Sequence, residues 1–257
     1  MDRWQEKFKN RLVKNKKRLL IALLIGDGTI SSNYVFKLSH SVDQREYLEW
    51  KVSLLNKLEI KNNGIKEYIS SCGYNTGKGV LYSQMSLNST IKALRRSVYI
   101  PKKTFTRNLL NWLDEQGLAI WFMDDGFINI NESEQRHGSI QRNIRISTCV
   151  DEETCNMIIQ YFKERWNIEF RPFLEKSKLF SIATRTNEDS DKFIKIVKPY
   201  VEQVPSLLYK IRGNLTKKEF IAQQNAVSKC ETLKNEWWYS RAYVEKHKVN
   251  WTLIRRI

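Results

Sequence analysis

Leu19-Leu20-Ile21-Ala22-Leu23-Leu24-Ile25-Gly26-Asp27-Gly28 and Gly117-Leu118-Ala119-Ile120-Trp121-Phe122-Met123-Asp124-Asp125-Gly126 follow one pattern, an apolar run that ends in acid and glycine. A helix with no polar face is buried on all sides, and in a chain that carries two such helices the natural partner of each is the other. The first run is too short to span a bilayer. The basic residues before it do not make a signal peptide, because no small-residue cleavage site follows. Gly28 and Gly126 fit the left-handed position just after a helix. Asp27 and Asp125 need another account. A helix C-terminus carries partial negative charge and disfavours an acid by about 0.3–1 kcal/mol. Bringing two such ends together adds like-charge repulsion, so something cationic is expected between them. A divalent ion answers that need. Mg²⁺ takes oxygen ligands from one or two carboxylates, waters and phosphates. Held there, it can polarise a phosphoryl oxygen and help generate hydroxide.

Outward from these runs the chain repeats itself, which changes the whole reading of the fold. Phe36-Lys37-Leu38-Ser39-His40-Ser41-Val42-Asp43 matches Ile144-Arg145-Ile146-Ser147-Thr148-Cys149-Val150-Asp151 in kind at nearly every position. Both alternate apolar and polar residues like a half-buried strand, then reach an Asp able to cap a helix. Tyr47, Trp50, Leu54 and Leu58 then correspond to Cys155, Ile158, Phe162 and Trp166, at helical spacing. Alternation turns Phe36, Leu38, Ile144 and Ile146 toward a helical layer. Lys37, Ser39, Arg145 and Ser147 face the other way. Strand-like runs follow at Ile65–Ile69 and Val80–Leu87, and again at Glu169–Leu174 and Leu179–Arg185. Helices follow near Thr90–Ser97 and Asp189–Lys198. The expectation is an α+β chain of two pseudo-symmetric αββαββα subdomains packed through the apolar helices, with a helical C-terminal extension. Its parts are 1–18, a basic N-terminal extension; 19–112, the first repeat; 113–212, the second; and 213–257, a basic helical tail.

The composition is that of a folded protein, with 28% charged and 41% hydrophobic residues. Its 44 Lys and Arg against 28 Asp and Glu give a charge of +16, which points to a polyanion partner. Residues 1–18 and 211–257 contribute +6 each, and the 192 residues between them only +4. The four cysteines lack the paired spacing of zinc sites and read as reduced thiols. His40, His137 and His247 are too few and too scattered for histidine-cluster chemistry, and each reads as a surface or polar contact. Gly73-Tyr74-Asn75-Thr76-Gly77-Lys78-Gly79 has one residue too few for a phosphate loop and reads as a hairpin loop. Asn129–Gln141 reads as a long polar loop.

The paired runs resemble the LAGLIDADG homing endonucleases in their single-chain form with two motif copies, over about residues 17–212. Trp121-Phe122-Met123-Asp124-Asp125-Gly126 is similar to the intron-encoded branch. The resemblance implies two motif helices at the domain interface. It implies that Asp27 and Asp125 ligate two or three divalent ions, with Gly26 and Asp124 beside them in the ligand set. It also implies two antiparallel sheets lying over a long double-stranded DNA site. Val204-Pro205-Ser206-Leu207-Leu208-Tyr209-Lys210 resembles the end of the second repeat in that branch, where a Lys occupies the active site. That assigns Lys210 to stabilising phosphate charge or activating water. The first repeat lacks a matching Lys, and Lys103, Lys102 or Arg96 is left for the role, with Lys103 carried as the candidate. The family's small interface residues are Ala22 and Gly26 in the first copy, against Ala119 and Met123 in the second.

For DNA contact the outward strand positions are Lys37, Ser39, Tyr82, Gln84, Arg142, Arg145, Ser147, Arg171, Lys178 and Arg185. Lys and Arg suit phosphates or guanine, and Gln84 suits adenine. Trp237-Trp238-Tyr239 and Trp251 read as the tail's own small core. The expected function is a monomeric, Mg²⁺-dependent homing endonuclease making a double-strand break at a long asymmetric site. It has no membrane partner and no targeting signal. The resemblance places it in the cytoplasm of a bacterium or phage-infected cell, or in an organelle matrix. The alternative is an RNA maturase, with its own intron RNA as partner, or a DNA-binding regulator on the same scaffold.

Overall fold

The computed structural model describes residues 3–70, 76–85, 89–99, 103–133 and 139–211. The tail from 212, with its aromatic cluster, lies outside the described residues, as do Lys102 and the tip of the glycine-rich hairpin. The chain divides into two compact units, Met1–Asp125 and Gly126–Ile257.

In the first unit, helix α1 (Arg3–Ile25) is followed by strands β1 (Thr29–Ile30) and β2 (Phe36–Ser41) and helix α2 (Arg45–Lys57). Strands β3 (Lys66–Ile69) and β4 (Gly79–Met85) come next, then helices α3 (Ser89–Val98), α4 (Arg107–Leu110) and α5 (Glu115–Asp125). The second unit runs β5 (Gly126–Ser133), β6 (Ser139–Val150), α6 (Glu152–Trp166), β7 (Phe170–Leu174), β8 (Phe180–Thr184), α7 (Asn187–Val201) and a 3₁₀ turn, Pro205–Lys210. Each unit holds a four-stranded antiparallel sheet, ordered β1-β2-β4-β3 and β5-β6-β8-β7. The orders coincide strand for strand, so the sequence repeat is a structural repeat.

The alternation read in the sequence is the alternation observed. Phe36, Leu38, Ile144 and Ile146 are fully buried, while Lys37, Ser39, Arg145 and Ser147 are half-exposed on the opposite faces. Helix α5 is buried at every position from Gly117 to Met123. A large apolar side chain contributes about 1.5–3 kcal/mol on full burial. The run therefore outweighs the cost of ending the helix in acid. It packs on α1, with Gly117 beside Ala22.

Four expectations change. Asp43 does not cap α2: Ser41 Oγ accepts from its N–H, capping a 3₁₀ turn over Val42–Gln44, and α2 starts after Gln44 without a side-chain cap. Asp151 does cap α6, accepting from Thr154 N–H at 2.9 Å. Neither Gly28 nor Gly126 takes a positive φ. Gly28 is needed for space instead, since its N–H donates to the Leu23 carbonyl and a Cβ would lie 2.3 Å from that oxygen. Gly126 opens β5, paired with Ile146. Finally, Asn129–Gln141 is mostly ladder, with pairs from Asn129↔Asn143 to Ser133↔Ser139, because alternation continues through polar residues that suit a sheet edge. No helix among the described residues is long and apolar enough to cross a membrane.

Candidate active site and nucleic-acid interface

Asp27 stands just past α1, and its side chain is 44% exposed. Its backbone N–H donates to Asp124 Oδ2 at 3.0 Å. Asp124 itself, in the last turn of α5, has a side chain with no exposure. A buried acid at a helix C-terminus needs a cation, and Lys51 of α2, equally buried, donates to Asp124 Oδ1 at 2.6 Å. The Tyr47 hydroxyl donates to the same oxygen at 2.8 Å. Burial alone would raise the Asp124 carboxyl, but the Lys51 ammonium and the hydrogen bonds from Lys51 and the Asp27 N–H outweigh it and hold the acid below its usual value. Burial, with Asp124 alongside, pushes the Tyr47 hydroxyl well up, so it remains a donor.

Lys51 also donates to His40 Nε2 at 3.0 Å. An ammonium has no acceptor to offer, so Nε2 accepts and the ring proton sits on Nδ1. Nδ1 lies 3.2 Å from Gln44 Oε1 and 3.8 Å from Asp27 Oδ2. One ligand atom each from Asp27, His40 and Asp124 falls within 4.8 Å of the others. Two of these three, His40 and Asp124, already face Lys51.

Two further lysines meet the glycine turns. Lys103 Nζ donates to the Gly26 carbonyl at 2.5 Å and approaches that of Gly28 at 3.4 Å. Lys210 Nζ donates to the carbonyl of Gly126, the counterpart of Gly28, at 3.1 Å. Burial lowers the Lys103 ammonium from its ordinary value, against the opposing pull of Asp125, Asp124 and Asp27. Of the three candidates for the first repeat, Lys103 reaches this turn, whereas Arg96 is exposed on α3.

The sheet faces opposite the helices carry the expected contact residues. Lys37 pairs with Gln84 and Ser39 with Tyr82 across β2 and β4. Lys37 Nζ lies 4.7 and 4.9 Å from the ring centres of Tyr68 and Tyr82. In the second unit the Arg145 guanidinium sits 3.4 Å from the Phe173 ring centre and 5.5 Å from that of Phe127. Arg171 is exposed on the same face, paired like Arg145 with Ala183. Arg142 corrects its outward assignment: opposite Ile130 and two residues before Ile144 in an unbroken register, it falls on the face of Ile144 and Ile146 and not on that of Arg145. Lys178 sits in the β7–β8 turn at φ 64°. Arg185 follows β8, 3.6 Å from Glu169.

The sequence matches the profile of the LAGLIDADG DNA endonuclease family over residues 17–193. The chain belongs to the LAGLIDADG DNA endonuclease family. Its fold agrees with that of a solved structure described as the homing endonuclease I-WcaI bound to its DNA recognition sequence. The TM-score is 0.63, with 19% identity, over 83% of this chain and 94% of that one. Among curated proteins it is 26% identical over 205 residues to a RecA protein of Mycobacterium shimoidei, covering 76% of this chain and 45% of that protein. It is 26% identical over 213 residues to RecA of Mycolicibacterium flavescens, covering 79% and 47%. The chain thus spans about half the length of the curated relatives it matches.

For a LAGLIDADG site, sequence reasoning missed His40, Lys51 and the Tyr47 hydroxyl. The signals were present. His40 continues the inward register of Phe36 and Leu38, and Lys51 stands four residues after Tyr47 on the apolar stripe of α2. A polar residue in an apolar register requires a buried partner.

Proposed function

We propose that this LAGLIDADG family member is a site-specific homing endonuclease that hydrolyses both strands of a long DNA target with divalent metal. The observation that carries the reading is the exposed Asp27 carboxylate. It stands at the end of a buried apolar helix, beside Lys103, in a chain of a DNA endonuclease family. The donor set fits a hard ion. Asp27 offers an accessible carboxylate, Asp125 is its counterpart in the second motif, and such an ion completes its shell with waters and phosphate oxygens. When bound, Mg²⁺ would supply Lewis acidity toward a phosphodiester and a more acidic bound water. Of the two other oxygens expected in the ligand set, Gly26 O takes a hydrogen bond from Lys103 and Asp124 Oδ1 one from Lys51. Asp27 and Asp125 therefore carry the metal in this proposal.

Lys103 and Lys210, each held on a glycine turn, place positive charge where phosphate charge develops. The sheet faces supply binding: Lys37, Arg145, Arg171, Lys178 and Arg185 for phosphates or guanine edges, and Ser39, Tyr82, Gln84 and Ser147 alongside them. Both acids come from one chain, so the enzyme works as a monomer. The test is Mg²⁺-dependent cleavage of DNA made by rejoining the sequences that flank the reading frame. Asp27→Asn and Asp125→Asn are each expected to lose the double-strand break and leave one strand uncut, and unchanged cleavage in both would reject the assignment.

A further inference from the structure

Lys51 has no exposure, yet nothing in the proposed hydrolysis uses it. We propose that Lys51 and Asp124 form a buried positioning pair: Lys51 fixes the Asp124 carboxylate, and Asp124 fixes the Asp27 peptide, so setting the direction in which the Asp27 carboxylate leaves its turn. The consequence for catalysis rests on the reading of Asp27 as the functional acid; the hold on its peptide does not.

Three observations carry the pair. First, the hydrogen bonds form an unbroken chain from α2 to the turn. Lys51 Nζ donates to Asp124 Oδ1, and Asp124 Oδ2 accepts from Asp27 N–H. Tyr47 adds a second donor to Oδ1. An acid so engaged serves as a fixed acceptor for a peptide rather than as an ion ligand. Its charge is already matched inside the protein.

Second, the repeat is broken where this geometry requires it. Gly26 and Asp124 occupy equivalent positions, each one residue before the motif acid. A Cβ on Gly26 would lie 1.9 Å from Asp124 Oδ2, 2.7 Å from its Cγ and 2.9 Å from its Cβ. The carboxylate fills the space that the glycine vacates. Two acids at this level would collide, and two glycines would leave the Asp27 N–H without this acceptor.

Third, the same cation limits Asp27 from the side. By donating to His40 Nε2, Lys51 fixes the tautomer that points Nδ1–H toward Gln44 and the Asp27 carboxylate. Buried pairs seldom add much net stability over an apolar replacement, and their attested use is to enforce one arrangement. That is the use assigned here.

The experiment compares the full chain with Lys51→Met, Asp124→Leu and the double variant, in three readouts. In the wild type, NMR should show a slowly exchanging Asp27 amide, with scalar coupling from its nitrogen to the Asp124 carboxyl carbon. This needs no variant, and an Asp27 amide exchanging at the unprotected rate would overturn the proposal. Each single variant should lower the thermal midpoint more than the double does, because one change leaves a buried charge alone and both together do not. The folded double variant should exchange its Asp27 amide at the unprotected rate. On a supercoiled plasmid bearing the rejoined flanking sequence with Mg²⁺, it should cleave about 100-fold more slowly, the scale of an ångström misplacement. Wild-type protection of that amide, or wild-type cleavage, in the double variant would refute the positioning role. Asp27→Asn serves as the separate control. If it cleaves at the wild-type rate, the function assigned to Asp27 fails, while the exchange and midpoint readouts still decide the pair.

Discussion

Replacing Gly26 by alanine sets two effects of opposite sign against each other. Gly26 continues the last turn of α1, its N–H donating to the Ala22 carbonyl. Backbone entropy alone would favour alanine there by about 0.5–1 kcal/mol. The new Cβ, however, would lie 1.9 Å from Asp124 Oδ2, where ordinary van der Waals approach begins at 3.4 Å. The carboxylate would have to retreat by the difference, about half the length of a hydrogen bond. It cannot do so and keep Lys51 at 2.6 Å, Tyr47 at 2.8 Å and the Asp27 N–H at 3.0 Å. Overpacking costs about 1–3 kcal/mol, and an opened buried ion pair about 3–5. Counting the opened pair alone, since the retreat that opens it also relieves the overpacking, the net loss is about 2–4 kcal/mol after the entropy gain. For a chain of this size that lowers the thermal midpoint by about 5–15 °C. Differential scanning calorimetry on four proteins tests it: wild type, Gly26→Ala, Lys51→Met/Asp124→Ala and the triple combination. The Gly26→Ala penalty should vanish or change sign once Asp124 is gone. Equal penalties in both backgrounds would refute the reasoning, since additivity means the two sites do not meet.

Other outcomes follow from the same geometry. Lys103→Met should leave DNA affinity nearly intact and slow single-turnover cleavage by about 10²–10³, as loss of one charge-stabilising donor does. Arg145→Lys keeps the charge but loses the guanidinium held 3.4 Å from the Phe173 ring centre. Affinity should fall about tenfold by fluorescence anisotropy, within the range of such stacked cations, with an unchanged salt slope. The Asp124 carboxyl is held below its usual value, so its contribution to stability is complete above the ordinary carboxylate range and is lost as pH falls through the lowered value. Asp124→Asn should therefore lower stability at neutral pH and flatten the acid limb of a midpoint-versus-pH profile. Removing 213–257, which carries net positive charge, should flatten the salt dependence of binding by about 0.9 in log-log slope for each phosphate no longer neutralised, and leave site preference in place.

The fold was legible because two periodicities were each written twice. The strand alternation of Phe36-Lys37-Leu38 and Ile144-Arg145-Ile146 placed both sheets, and the unbroken apolar runs before Asp27 and Asp125 marked the buried helices. Boundaries were less legible. Ser41 competed with Asp43 for the cap, and β5 and β6 carried their ladder through Asn129, Asn131 and Asn143, residues that look like loop in isolation. The exposed acid was readable from its disfavoured place at a helix end. The groups that hold it were not, because Lys51 and His40 satisfy one another across 11 residues and meet Asp124 only through the tertiary fold. Lys51 is the cation that faces the buried Asp124.

If Asp27 and Asp125 carry the metal as proposed, each acid serves one strand of the target. The most direct test is gel analysis of a supercoiled plasmid carrying the rejoined flanking DNA, incubated with wild type, Asp27→Asn, Asp125→Asn and the double variant in Mg²⁺ or EDTA. Wild type should give linear DNA only with metal. Each single variant should stop at a nick, the two nicks falling on opposite strands, and the double variant should leave the plasmid intact. Linear product from the double variant, or an intact plasmid with the wild type in Mg²⁺ and in Mn²⁺, would contradict the account.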